Sequence, residues 1–219
     1  METIKQHFLS RFNTYLLLSI SIGLSLFLLM VRIKLAQSAY FLFLVWNLSL
    51  GLIPFAITSY LISRPKLHKF MLLIGFLAWL LFLPNAPYLI TDFAHLKYQT
   101  NLHFWLDILL ISTFALNGML LFYLSVLDMK VLLQPYIKNS YLNGLIQIIF
   151  VLSGFGIYLG RYLRYNSWEI LQTPVVLFND IFNIALHPLQ HIDAWLFTLI
   201  FGLFLSAGYW MFNMMGNKS

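Results

Sequence analysis

Asp92 and His95 stand three residues apart in the stretch Pro84-Asn85-Ala86-Pro87-Tyr88-Leu89-Ile90-Thr91-Asp92-Phe93-Ala94-His95-Leu96. On a helix that spacing puts both on one face, where a carboxylate and an imidazole could exchange a proton or hold a metal. The plainer outcome is a proline-capped turn whose Asp and His are solvated, and residue chemistry alone favours it. A second group is Gly160-Arg161-Tyr162-Leu163-Arg164-Tyr165-Asn166-Ser167-Trp168-Glu169. Arg161 and Arg164 would share a face if the helix before them continued, and paired guanidinium forks can hold phosphate or carboxylate. Snorkelling arginines at the end of a span are the competing explanation. Asn166 followed by Glu169 fits a helix N-cap with a reciprocal capping residue.

A third group is Asp180, Asn183, His187 and His191, spaced three, four and four apart as one helical stripe. Pro188 kinks that stripe just past His187. An amphipathic helix lying on the membrane surface explains it simply. If the stripe turned inward, His187 and His191 could join carboxylates around zinc or another divalent ion, although no compact His-Glu-x-x-His motif is present. Asp107, Asn117, Asn47 and Gln147 fall inside apolar stretches, where polar groups are costly unless paired. An intramembrane carboxylate is by default a site hypothesis, so Asp107 is the most telling of these. Gly156-x-x-x-Gly160 and Ser21-x-x-x-Ser25 read as close helix packing.

The elements that must position these groups are membrane helices. Hydrophobic residues make up 61% of the 219-residue chain and charged ones only 9%, with a mean hydropathy of +0.82. That composition excludes an ordinary soluble domain and leaves no room for one beside the apolar stretches. A net charge of +6 invites a nucleic-acid reading, but the basic residues are scattered through short loops without a stripe or interleaved aromatics. The lack of cysteine excludes disulfides and thiolate metal sites.

Six stretches can cross a bilayer, at about 14–31, 39–62, 67–84, 104–127, 140–160 and 194–213. The expected fold is therefore an all-α bundle of six transmembrane helices forming one membrane domain. Short re-entrant or interfacial helices are expected near 88–96 and 168–187. The first stretch resembles a signal peptide, but it is longer than the usual apolar region of one, which favours an uncleaved helix. The apolar run Phe70–Leu83 reaches only roughly 21 Å against a core of about 30 Å, so the prolines are expected to end the third span early.

Lys5, Arg11, Arg64, Lys66, Lys69, Lys130, Lys138 and Lys218 fall on one side, and Arg32, Lys34, Lys97, Arg161 and Arg164 on the other. The positive-inside rule then places both termini in the cytoplasm. It also brings the Asp92 and Arg161 groups to a common outer face.

Phe82-Leu83-Pro84-Asn85-Ala86-Pro87-Tyr88-Leu89-Ile90-Thr91-Asp92 and Gly160-Arg161-Tyr162-Leu163-Arg164-Tyr165-Asn166-Ser167-Trp168 resemble an uncharacterised family of integral membrane proteins, domain-of-unknown-function family 1361. The resemblance runs from the second span to the last. It implies a multi-pass protein of the bacterial cytoplasmic membrane with no assigned activity, and it carries no catalytic role to any residue.

The leading expectation is a non-transporting protein with an outer polar pocket for a lipid headgroup or another anionic, envelope-linked ligand. Asn85, Thr91, Arg161, Arg164 and Asn166 would bind the ligand. Asp92, His95 and Glu169 would be the acid/base or metal-binding groups. Its partners would be the bilayer and that ligand, and nothing in the residues sets an oligomeric state or a cofactor. A small secondary transporter or channel is the first alternative. It is disfavoured because the helix break lies near one end of a span and Asp107 has no evident charged partner in the membrane. A non-catalytic scaffold of an envelope complex is the second.

Overall fold

The computed structural model describes residues 11–64, 66–98, 104–165, 172 and 174–216. Among them the regular elements are all helical, because long runs without water to satisfy backbone groups must hydrogen-bond within the segment. Six helices are long and apolar enough to cross a membrane, and the protein is an integral multi-pass membrane protein. The chain divides into two compact units, Met1–Leu132 and Leu133–Ser219.

The first unit begins with α1, Phe12–Ala36, followed by a 3₁₀ turn at Tyr40–Leu42 and α2 at Phe43–Ile62. Then come α3 (Lys69–Phe82), the single turn α4 (Asn85–Tyr88), a 3₁₀ helix over Leu89–Tyr98, and α5 (Phe104–Leu133). Leu29, Phe41, Leu44, Leu89, Leu110, Ile111 and Phe114 form its buried core. Leu17, Ile20, Phe27 and Met30 on α1 face outward, as a lipid-exposed stripe must.

Polar pairs set the register of α1 against α5. Arg11 Nη1 lies 2.6 Å from Asp128 Oδ1 at one end. Arg32 grips Asp107 at the other, its Nε on Oδ1 and its Nη2 3.1 Å from Oδ2. Between them Asn117 Nδ2 donates to Ser25 Oγ at 2.9 Å. The interval from Arg11 to Arg32 equals that from Asp107 to Asp128, and at 1.5 Å per residue it measures about 31 Å, the thickness of a hydrocarbon core. The two ion pairs therefore bracket the membrane. Arg32 is 2% exposed, so it belongs to the span and is not the loop charge that the sequence count made of it.

The third span also departs from expectation. Pro84 and Pro87 do not end it: α3, α4 and the 3₁₀ helix follow one another, and Lys69–Leu96 forms one apolar span of 28 residues. Residues 88–96 are the far half of that span and not a re-entrant helix beside it. The break is held by close backbone approach. A Cβ on Gly51 would meet Ala86 Cα at 3.1 Å, and one on Gly118 would strike the Ala86 carbonyl and Leu89. Gly51 is the central residue of the span Tyr40–Ile62, and Gly118 lies at the centre of Phe104–Leu133. The discontinuity sits at mid-membrane.

The second unit contains α6 (Asn139–Arg161), α7 (Pro174–Leu186) and α8 (Ile192–Gly216). α6 and α8 pack closely where Gly154 faces the carbonyl of Thr198, 2.7 Å from an added Cβ. Ser206 Oγ donates to Gln147 Oε1 at 2.6 Å. At 13 residues α7 is too short to span, and its leading Pro174 occupies the first helical position, where a missing N–H costs nothing.

Candidate functional site

Asp92 and His95 fall on the 3₁₀ helix, whose three residues per turn stack positions i and i+3 directly. Asp92 is 1% exposed. Its Oδ2 accepts a hydrogen bond from Asn47 Nδ2 of α2 at 3.0 Å. Its Oδ1 lies 3.9 Å from His95 Nε2. The other imidazole nitrogen, Nδ1, is 3.0 Å from the Tyr40 hydroxyl. Tyr40 is exposed, and the His95 ring rests on Phe43 with centroids 4.6 Å apart.

The result is a graded chain, from the exposed phenol of Tyr40 through a half-buried imidazole to a buried carboxylate and an amide. Asp92 follows Ala86 by six residues, so its backbone lies about 9–12 Å beyond the break, in the outer part of the span. An intramembrane carboxylate reached by an imidazole is a recurrent arrangement for taking up and releasing protons.

Asn85 and Thr91 lie on the same broken span. Asn85 Nδ2 donates to the Phe82 carbonyl at 2.9 Å, and Thr91 Oγ1 to the Tyr88 carbonyl at 2.7 Å. Both side chains thus repair backbone acceptors around the break. Asp107 is buried against Arg32, whose guanidinium also stands 5.4 Å from the Phe41 ring centre. Both oxygens of Asp107 are engaged by one arginine, which suits a structural clasp.

The remaining candidates belong to the second unit. Arg161 is the last residue of α6, and Arg164 follows in the left-handed region at φ 62°. The helix does not continue, so the register that would stack the two guanidinium groups is absent. Tyr165 donates to Asp180 Oδ2 at 2.7 Å, tying the end of α6 to α7. His187 Nδ1 lies 3.3 Å from the Asn183 carbonyl, and His191 follows beyond the end of α7. Among the described residues no three His, Asp or Glu side chains gather in a way that could hold a metal ion. Asn166 and Glu169 lie outside the described residues.

A family described as a protein of unknown function, DUF1361, matches residues 46–207. The chain belongs to the DUF1361 family. No curated protein and no solved structure shows a significant match to it. The match to DUF1361 takes in Asn47, Asp92, His95 and Asp107, whereas Arg32 and Tyr40 precede it.

Sequence reasoning missed Tyr40 and Arg32. The signal for Arg32 was present: Arg11 and Arg32 repeat at the interval of Asp107 and Asp128, as two antiparallel helices joined by two ion pairs require. Tyr40 left no comparable trace, because a tyrosine at a span end is ordinarily an interfacial anchor. Two arguments raised against a transporter are corrected. The break is central in the membrane, and Asp107 does have a charged partner.

Proposed function

We propose that this DUF1361 protein is a small transporter whose transported species is the proton itself, carried by Asp92. The observation that supports this reading is the buried Asp92 carboxylate on the broken span, held by Asn47 and standing 3.9 Å from a His95 that is itself hydrogen-bonded to the exposed Tyr40. Discontinuous helices that cross near a buried ionisable group are the recurring architecture of such proteins. His95 relays the proton between Tyr40 and Asp92, and Asn47 orients the carboxylate by donating to it. On the positive-inside rule this entrance would face away from the cytoplasm, with both termini inside.

The test follows the proton directly. Purified protein is placed in liposomes with an imposed pH gradient, and its dissipation is followed with an internal pH dye. In parallel, pH-difference infrared spectroscopy follows the carboxyl C=O band. The wild type should collapse the gradient faster than empty liposomes and show a protonatable carboxyl that disappears in Asp92→Asn. A gradient that decays equally with wild type and Asp92→Asn would overturn the reading.

A one-sided outer pocket is the second reading, favoured by the exposure of Tyr40 and the partial exposure of His95. There the same couple acts as an acid/base pair on a lipid headgroup or other anionic, envelope-linked ligand. That protein would retain the Asp92 infrared signal yet leave the gradient untouched.

A further inference from the structure

The half of the first unit beyond the break contains a second polar layer that neither the Asp92 cluster nor the helix packing uses. Thr58 and Ser125 lie two turns past Gly51 and Gly118, and Trp79 lies two turns before Ala86. Since Gly51 and Gly118 both abut Ala86, these three residues share one level, about 10 Å from mid-membrane on the side away from Asp92. Thr58 and Ser125 are 0% exposed and Trp79 1%. Ser59 adjoins Thr58 on α2, with its hydroxyl oxygen buried.

Within this layer donors and acceptors are out of balance. The indole Nε1 of Trp79 and the Oγ of Ser59 have no hydrogen-bond partner among the described residues. Thr58 and Ser125 donate their protons to the carbonyls of Phe55 and Phe122, at 3.1 and 2.9 Å, so either oxygen can act toward a further group only as an acceptor. An indole N–H can only donate, and buried donors are almost always paired in folded proteins. A water beside the Trp79 indole or the Ser59 hydroxyl would accept from these donors, and water can also donate onward.

We infer that this layer is a hydration site that completes a proton path through the first unit, from Tyr40, His95 and Asp92 on one side of the break to the Trp79 level on the other. The inference rests on the proton-carrying reading of Asp92. A proton entering through His95 resides on the Asp92 carboxyl and leaves through the hydrated layer to the opposite face; each turn restores the carboxylate and carries one positive charge across the membrane, which a counter-ion flow such as potassium with valinomycin compensates in liposomes. The Pro84–Pro87 break separates the two polar levels, with the Ala86 backbone packed against Gly51 and Gly118 between them. A one-sided site would have no use for the second level.

Radiolytic hydroxyl-radical footprinting with mass spectrometry reads the site directly, because bound water generates the radical in place. Trp79 should be oxidised well above the fully buried Phe114 and Phe122, after correction for intrinsic ring reactivity, and Ser59→Val should lower that oxidation. In proteoliposomes Trp79→Phe, which keeps the ring and removes the donor, should slow gradient collapse about tenfold, the loss expected for one hydrogen bond. The Asp92 infrared band should persist in that variant. Trp79 as unreactive as Phe122, with flux unchanged in Trp79→Phe but abolished in Asp92→Asn, would overturn the hydration site and leave the Asp92 reading standing. Flux indifferent to Asp92→Asn would overturn both.

Discussion

Replacing Arg32 by methionine keeps most of the aliphatic stem and removes the guanidinium from Asp107. The carboxylate, 0% exposed, then loses the partner of both its oxygens at the edge of the hydrocarbon. An uncompensated buried charge costs about 3–5 kcal/mol, and Asp107→Leu should cost a similar amount by stranding the arginine beneath Phe41. The double variant Arg32→Met/Asp107→Leu removes both charges together. Buried ion pairs replaced by apolar residues of similar size are often neutral, or more stable by about 1–4 kcal/mol, so the pair of changes should recover most of what each single change loses.

Unfolding of the purified protein in mixed micelles of increasing denaturing-detergent fraction measures these differences. If the double variant is as unstable as the two single losses added together, the clasp interpretation fails. The same three proteins probe function. The double variant should retain gradient collapse and the Asp92 carboxyl band, because the clasp is a structural part of the wall. A well-folded double variant that no longer moves protons would place Asp107 in the pathway and refute its separation from Asp92.

Gly118→Ala should destabilise the first unit by roughly 1–3 kcal/mol, since the added methyl meets the Ala86 carbonyl and Leu89, whereas Gly144→Ala, with nothing within 4 Å, should stay within about 0.5 kcal/mol in the same assay. The absence of cysteine makes topology directly testable. Single cysteines at the exposed positions Ser38 and Leu189 should react with an impermeant thiol reagent in intact cells, and those at Lys66 and Tyr136 only after lysis; the reverse pattern would invert the orientation. Tyr165→Phe should cost about 1 kcal/mol of stability and Asp180→Asn a comparable amount, with the double variant no worse than either, because both delete the same hydrogen bond between Tyr165 and α7.

The fold class was legible because span length and hydropathy are dictated by the bilayer and owe little to tertiary context. Asp92 and His95 were legible as a pair because their spacing survives whether the helix has three residues per turn or nearly four. The course of the third span was not. Two prolines within a dozen residues read as an end, and only Gly51 and Gly118, which let the Ala86 backbone approach, allow the helix to resume at mid-membrane. Glycines far apart in sequence give no local sign that they face the same turn. Arg32 was misread for a related reason: a charge after an apolar run looks like a loop residue until its distant partner Asp107 is known. Asn47 and Asn117 were recognised as costly, but Asp92 and Ser25, to which they donate, could be assigned only from the packing.

The distribution of these interactions argues for a fixed wall and a movable element within the first unit. α1 and α5 are joined by two ion pairs at opposite membrane boundaries and by the Ser25–Asn117 hydrogen bond between them. Sliding one helix along the other would strand four charges at once, so this pair is held in a single register. The broken span is held differently. Its central contacts are backbone packing at Gly51 and Gly118, while Asn85 and Thr91 satisfy carbonyls of the span itself. Packing of that kind is short-ranged and can be exchanged for a neighbouring arrangement without exposing a charge. The polar bond from Asn47 to Asp92 is the tie most sensitive to protonation, because a neutral carboxyl accepts from an amide less strongly than a carboxylate does. Protonation of Asp92 therefore weakens a link between α2 and the far half of the broken span while leaving the α1–α5 wall intact. That is the coupling a proton-driven change of access requires. It predicts that in Asp92→Asn, which mimics the neutral state, amide hydrogen exchange over residues 83–98 quickens while the cores of α1 and α5 keep their protection. Equal protection of the broken span in Asp92→Asn and wild type at a pH where Asp92 is ionised would show that protonation does not reach the helix break.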